Sequence, residues 1–169
     1  VANETDYDYP LPLRVDSYDA FGGLYRGDLN LQVYFPDDVD KLNRFITTLN
    51  ETDYILIPTN HQYGQITRLP ERYPLTTLYY RELIGCPEAK DIIWCYRSAR
   101  PETFEGRLGY ELVAVFETYP KLGPIVISDQ AAEEAFTFYD HPKVMIFKKT
   151  ENFDITRLQS VLATVDLTK

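Results

Sequence analysis

The chain is predicted to fold as a single α/β domain, three-layer-like, with a mixed central sheet of about four to five strands and helices on its faces. Three observations carry this expectation. Short apolar runs alternate with a helical stripe: Leu29–Phe35, then Val39 to Leu49, then Tyr54–Ile57, and strand, helix and strand in that order define a βαβ unit. The later runs Tyr110–Glu117 and Lys143–Lys148 are joined without a convincing crossover helix, which suits antiparallel pairing. A length of 169 residues with 44% hydrophobic composition fits one domain, residues 1–169, whose core needs no staples.

Residues 1–28 are rich in Asp, Pro and Gly. Tyr9–Leu13 reads as extended chain because its prolines fix φ, and Phe21–Gly23 reads as a turn. Within Leu29–Phe35, Leu29, Leu31, Val33 and Phe35 alternate with Asn30, Gln32 and Tyr34, the period of a half-buried strand. Asp37 is placed to cap the next helix, whose apolar stripe is Val39, Leu42, Phe45, Ile46 and Leu49. Tyr54–Ile57 is a continuous apolar run, expected to be buried on both faces. The segment from His61 to Pro74 reads as a loop stiffened by Pro70 and Pro74.

Pro74 opens a helix, where its missing N–H costs nothing. Leu75, Leu78, Tyr79 and Leu83 form the inward stripe, and Gly85 is the stop. Residues 86–109 read as irregular, with 86–105 as an insertion. Ile125–Ile127 is a short strand, and Asp129 caps a helical turn over Gln130–Ala135. Asp154 starts a last helix with Ile155, Leu158, Val161 and Leu162 inward.

A net charge of −9 argues against nucleic acid, which demands a basic footprint. The charge is uneven: residues 1–53 hold eleven acids against four bases, whereas His61 to Pro74 holds Arg68 and Arg72 against Glu71 alone. No run approaches the ~20 apolar residues of a membrane helix. There is no phosphate loop, nucleophile elbow or dinucleotide fingerprint, so no cofactor is implied. Asp37, Asp38 and Asp40 lack the spacing of a calcium loop and read as helix-start charges. Cys86 and Cys95 lack the second ligand pair that zinc needs, which leaves a disulfide or two reduced thiols.

The candidate ligand-binding residues are His61, Tyr63, Arg68, Glu71, Arg72 and Tyr73, with Asp140 and His141. They follow a buried strand at its carboxyl end, where open α/β sheets place ligands. Arg68 and Arg72 suit a phosphate or sugar hydroxyls; alternatively they pair with Glu71 or Asp140 and pin the loop. Asp140 and His141 are either a base with its orienter or a turn ahead of a strand. No catalytic residue and no metal ligand is assigned.

Asp53 to Ile57, Tyr63–Gly64, Arg68 to Pro74, Tyr79–Tyr80, Leu108–Gly109, Tyr119–Pro120, Glu134 with Phe136, and Tyr139 through Phe147 together resemble a known family. It is the C-terminal extracytoplasmic domain of mannosyltransferase-like membrane glycosyltransferases of Chloroflexi and archaea, including the related set named for a YYY motif. The resemblance spans about Asp53 to Lys148. It implies a soluble domain of a larger integral membrane protein, on the extracytoplasmic face of the membrane. The membrane-embedded remainder of the same polypeptide is then its partner, and a glycan or lipid-phosphate sugar its ligand. The catalytic acid of the family lies on a loop of the membrane body, so the domain is expected to help position substrate and not to catalyse. The implied compartment favours the Cys86–Cys95 disulfide, worth about 2.5–3 kcal/mol by chain entropy. Two alternatives stay open: a carbohydrate-binding or protein-interaction module, and a free-standing enzyme built on Asp140, His141 and the two arginines.

Overall fold

The computed structural model describes residues 1–4, 29–126 and 141–167. Its sheet comprises β1 (Ala2–Asn3), β2 (Leu29–Asn30), β3 (Tyr54–Ile57), β4 (Tyr110–Phe116) and β7 (Val144–Lys149), while β5 (Lys121–Leu122) and β6 (Ile125–Val126) form a separate hairpin. The order across the sheet is β2-β1-β3-β7-β4. β2, β1 and β3 are parallel, and β7 runs antiparallel to both β3 and β4. The mixed α/β class and the antiparallel β4–β7 pairing therefore stand as the sequence predicts them.

The βαβ unit is looser than expected. α1 (Val39–Glu51) joins β2 to β3, but β1 lies between those strands and pairs with both. A two-residue strand carries no periodicity, so the sequence hides it. The run Leu29–Phe35 is a ladder strand only at its start. Leu31 and Val33 still donate backbone N–H groups to Asn3 O and Glu4 O at 3.0 and 3.1 Å. Gln32, at φ 51°, then turns the chain, and Phe35 is 55% exposed where alternation buries it.

Register decides which face is covered. Ala2, Ile55, Phe147 and Leu112 lie in one cross-strand row, and Ile57 pairs with Met145 on the same face. These side chains join one core with the helices. α1 contributes Phe45 and Leu49; α2 (His61–Ile66) contributes Tyr63 and Ile66; α3 (Pro74–Ile84) contributes Leu75 and Tyr79. Cys95 and Tyr96 come from α4 (Ile92–Ser98), and Leu158 and Leu162 from α5 (Ile155–Leu162). The opposite row, Leu56, Ile146 and Ala114, is outside that core. Among the described residues all five helices contribute to that one core, and Leu56 on the opposite face is buried as well. Val113 is the extra residue of a bulge in β4, between the rows of Leu112 and Ala114, a device that bends an edge strand.

Several elements differ in detail. Val39, expected inward, is 61% exposed, and Lys41 is buried in its place. Asp38, not Asp37, caps α1 by accepting from Lys41 N at 2.7 Å. The first half of the expected loop His61–Pro74 is helix α2, and the supposedly irregular stretch 86–105 contains α4. Asp91 starts α4 by accepting from Trp94 N at 2.9 Å. Tyr54 is 40% exposed, although the other three residues of β3 are buried as predicted. Gly85 ends α3 at φ 80°, and Asp154 caps α5. Cys86 and Cys95 are joined by a disulfide that ties the end of α3 to α4, with Cα atoms 5.8 Å apart. Tyr9–Leu13, Phe21–Gly23, the turn expected at Gln130–Ala135, and Asp140 lie outside the described residues. No helix among the described residues is long and apolar enough to cross a membrane.

Candidate functional site

The segment from His61 to Pro74 divides into a buried half and an exposed half. His61 N donates to Thr59 Oγ1 at 3.1 Å as α2 begins, and Gln62, Tyr63, Gly64 and Ile66 turn inward. The Thr67 hydroxyl donates to Tyr63 O at 2.6 Å. Consecutive turns follow: Leu69 N donates to Ile66 O at 3.0 Å, Arg72 N to Leu69 O at 3.0 Å and Tyr73 N to Leu69 O at 2.9 Å. The stretch is therefore held by its own backbone. Arg68, Glu71 and Arg72 stand exposed on these turns and make no ion pair with another described residue. Tyr73 turns back under them, 8% exposed. Its ring carries the Arg72 guanidinium at 5.3 Å and the Lys41 ammonium at 5.7 Å.

Beneath α2 lies a buried phenol cluster. Tyr63, Tyr79, Tyr80 and Tyr96 are all fully buried. Tyr63 stacks on Tyr96 with centroids 4.4 Å apart, and Tyr80 meets Tyr96 edge-on at 5.8 Å. Among them is the carboxylate of Glu4, also fully buried, which accepts from the Tyr80 hydroxyl at 2.6 Å. The Tyr96 hydroxyl donates to Tyr80 O at 2.9 Å. Burial first, and then the Glu4 charge for the first three, raises the pKa of Tyr63, Tyr79 and Tyr80, and burial raises Tyr96 likewise. The four phenols consequently keep their protons at ordinary pH, around the buried Glu4 carboxylate. Tyr63, predicted as a ligand contact, belongs to this core.

His141 is half-buried, just before β7. The pairing of Ile57 with Met145, and of Asn3 with Leu56, brings Glu4, the start of α2 and His141 to one end of the sheet. The expected contact of the arginine segment with Asp140 lies outside the described residues. Lys143 sits at the same end, 1% exposed. Its ammonium donates to Arg97 O and Ala99 O, each at 2.8 Å, and so closes the C-terminus of α4. Burial, followed by the nearby Arg100 charge, lowers its pKa to about 8. Arg100 in turn pairs with Glu117. Sequence reasoning missed Glu4, Tyr96 and Lys143; only the adjacent Tyr79–Tyr80 pair hinted at the cluster.

The other end of the sheet holds a groove of about 900 Å³. It is lined by residues 102–106, by Gly109 and the start of β4, by Lys148 to Asn152 and by Arg157. None of the predicted site residues lines it. Among the described residues no group of three or more His, Cys, Asp or Glu could hold a metal ion.

These features define a class: a small mixed α/β domain with a disulfide, a buried phenol core, an exposed arginine-bearing turn and a polar groove. No protein-family model matches the chain, and no curated protein or solved structure matches it either.

Proposed function

We propose that this chain is an accessory, extracytoplasmic domain of a membrane glycosyltransferase-like protein, which positions a sugar-bearing substrate for a catalytic body elsewhere in the same polypeptide. The observation that carries the reading is the Cys86–Cys95 disulfide, since disulfides persist in oxidising compartments and are rare in the cytosol. The placement of the resembling residues supports it too. Tyr63, Tyr80, Leu108 and Phe147 are buried, and Gly109 packs at φ 79° against Phe153. The resemblance thus follows the framework of the domain, as it would if the fold were shared. Arg68 and Arg72 offer exposed guanidiniums on hydrogen-bonded turns, a geometry suited to a phosphate. A stand-alone carbohydrate-binding module is the second reading, favoured by the polar groove.

The test is made on the full reading frame expressed in membranes. A membrane-impermeant maleimide on intact cells is expected to label Cys86 and Cys95 only after an impermeant reductant is added. Thiols that react only after lysis, or a reading frame with no hydrophobic spans, would overturn the reading.

A further inference from the structure

We infer that the groove between residues 102–106 and 148–152 binds a neutral, hydroxyl-rich ligand, an oligosaccharide segment; this names a site within the proposed function and rests on that reading for its biological setting alone. Glu102, Glu105, Glu111 and Glu151 line the groove. Lys148, Lys149 and Arg157 line it as well. Signs are interspersed and nearly cancel: Glu111 and Lys148 are direct cross-strand partners, and the Lys149 ammonium is already held by Asn50 O at 2.8 Å. Such a lining concentrates neither anions nor cations, because focusing needs one sign. It does present many acceptors and donors at short range, which is what vicinal hydroxyls require.

The aromatic element is Phe104, half-buried at the rim of the groove. Its ring meets that of Trp94 edge-on at 6.4 Å. Trp94 is 48% exposed and is the only tryptophan in the chain. An apolar ring beside polar groups matches the mixed faces of a sugar. The volume, about 900 Å³, lies in the range of roughly 300–1,000 Å³ usual for small-ligand sites.

The walls are fixed in advance. A Cβ on Gly106 would lie 2.2 Å from Leu83 O, and one on Gly85 would lie 2.1 Å from Glu105 O, so this wall touches the end of α3 backbone to backbone. Arg107 N donates to Glu82 O at 2.9 Å, and the two side chains form an ion pair. On the other side Thr150 N donates to Gly109 O at 3.0 Å. Glu102, at the rim, holds φ 65°, a conformation that costs a residue with a side chain of order 1 kcal/mol or more. A pinned cleft loses little entropy when it binds. β4, the last strand of the sheet among the described residues, is an unsuitable seat for an added peptide strand, because the bulge at Val113 breaks its regular spacing.

Trp94 fluorescence and saturation-transfer NMR should be measured with neutral gluco-, galacto- and manno-disaccharides, with inorganic phosphate as comparison. Saturable binding of at least one disaccharide is expected, with phosphate leaving the Trp94 signal unchanged. Phe104→Ala and the exposed pair Glu111→Gln with Glu151→Gln should each weaken it at least tenfold, at unchanged melting temperature for the glutamine variants. Arg68→Ala with Arg72→Ala should not alter it. Absence of binding by the folded protein overturns the groove assignment. Binding lost with the arginines and kept in the groove variants also overturns it, yet leaves the accessory-domain reading intact; the thiol-labelling experiment tests that reading separately.

Discussion

Asp37 Oδ2 accepts a hydrogen bond from the backbone N–H of Thr76 at 3.0 Å, and Asp37 Oδ1 accepts one from the Thr76 hydroxyl at 2.8 Å. An acid just ahead of α1 thereby caps the N-terminus of α3, 39 residues away in sequence. The same Oδ1 meets the buried Lys41 ammonium at 2.7 Å, which also donates to Val33 O and Phe35 O. Asp37→Ala removes the cap and leaves Lys41 as a lone buried charge, so a loss of about 3–5 kcal/mol is expected. Asp38→Ala, which removes only the local cap of α1, should cost about 1 kcal/mol. Urea melts of the two variants check the difference; equal losses would show that Asp37 acts only locally.

The sequence could not separate these two aspartates. Both precede a helix, and the capping signal is the same for each; the distant Thr76 amide is visible only in the fold. Strong patterns carried over: the stripe of α1 around Phe45 and Leu49, the stop at Gly85, the Asp154 cap and the β4–β7 pairing. Short elements did not. α4 has seven residues, too few to show a helical period, and α2 has six, in a segment read as loop from its prolines. Nothing local in the sequence reveals the carbonyls that hold Lys41 and Lys143. Of the expected site, Tyr63 and Tyr73 are core, while Arg68, Glu71 and Arg72 are surface. The groove escaped notice because its walls come from segments that are distant in sequence.

Tyr80→Phe and Tyr63→Phe should differ sharply. The Tyr80 hydroxyl serves the buried Glu4 carboxylate, and removing a donor from a buried charge costs about 2–3 kcal/mol. The hydroxyls of Tyr63 and Tyr79 are buried with no hydrogen-bond partner among the described residues. Tyr63→Phe and Tyr79→Phe should therefore change stability by less than about 1 kcal/mol in either direction. Thermal melts at pH 7 decide; a large loss at Tyr63 would reveal a partner for its hydroxyl.

Lys143 gives a pH dependence with a defined sign. Its pKa falls from 10.5 unfolded to about 8 folded, so between those values the unfolded chain binds more protons and stability rises with pH. The gain from Lys143 amounts to at most about 3 kcal/mol across that interval, and it is absent below pH 8. Above pH 10 the raised pKa values of Tyr63, Tyr79, Tyr80 and Tyr96 act oppositely, because the unfolded phenols ionise first. Melting temperature should thus climb from pH 8 towards 10 and then fall. Lys143→Met should flatten the climb and keep the fall.

Arg72→Ala should barely affect stability, by less than about 1 kcal/mol, because an exposed guanidinium over a ring contributes no more than that. A loss of several kcal/mol would mean that Arg72 anchors a buried ion pair.

Two glycines of the resembling region should respond in opposite ways to alanine. At Gly106 a new Cβ would meet Leu83 O at 2.2 Å and Glu82 O at 2.4 Å. Those are backbone atoms at the end of α3, fixed by the Arg107–Glu82 pair, so neither side can yield without moving the groove wall. Gly106→Ala is expected to lose about 2 kcal/mol or more, in the range of overpacked sites. At Gly64 no described residue lies within 4 Å of the new Cβ. Its amide already donates to Asn60 O at 2.8 Å in helical geometry, so alanine should add about 0.5–1 kcal/mol through helix propensity and reduced freedom of the unfolded chain. Chemical denaturation of both variants measures the pair of signs. If Gly64→Ala also destabilises, then Tyr63–Gly64 is held for something that needs the missing side chain, and a ligand approaching the start of α2 becomes the better account of that pair.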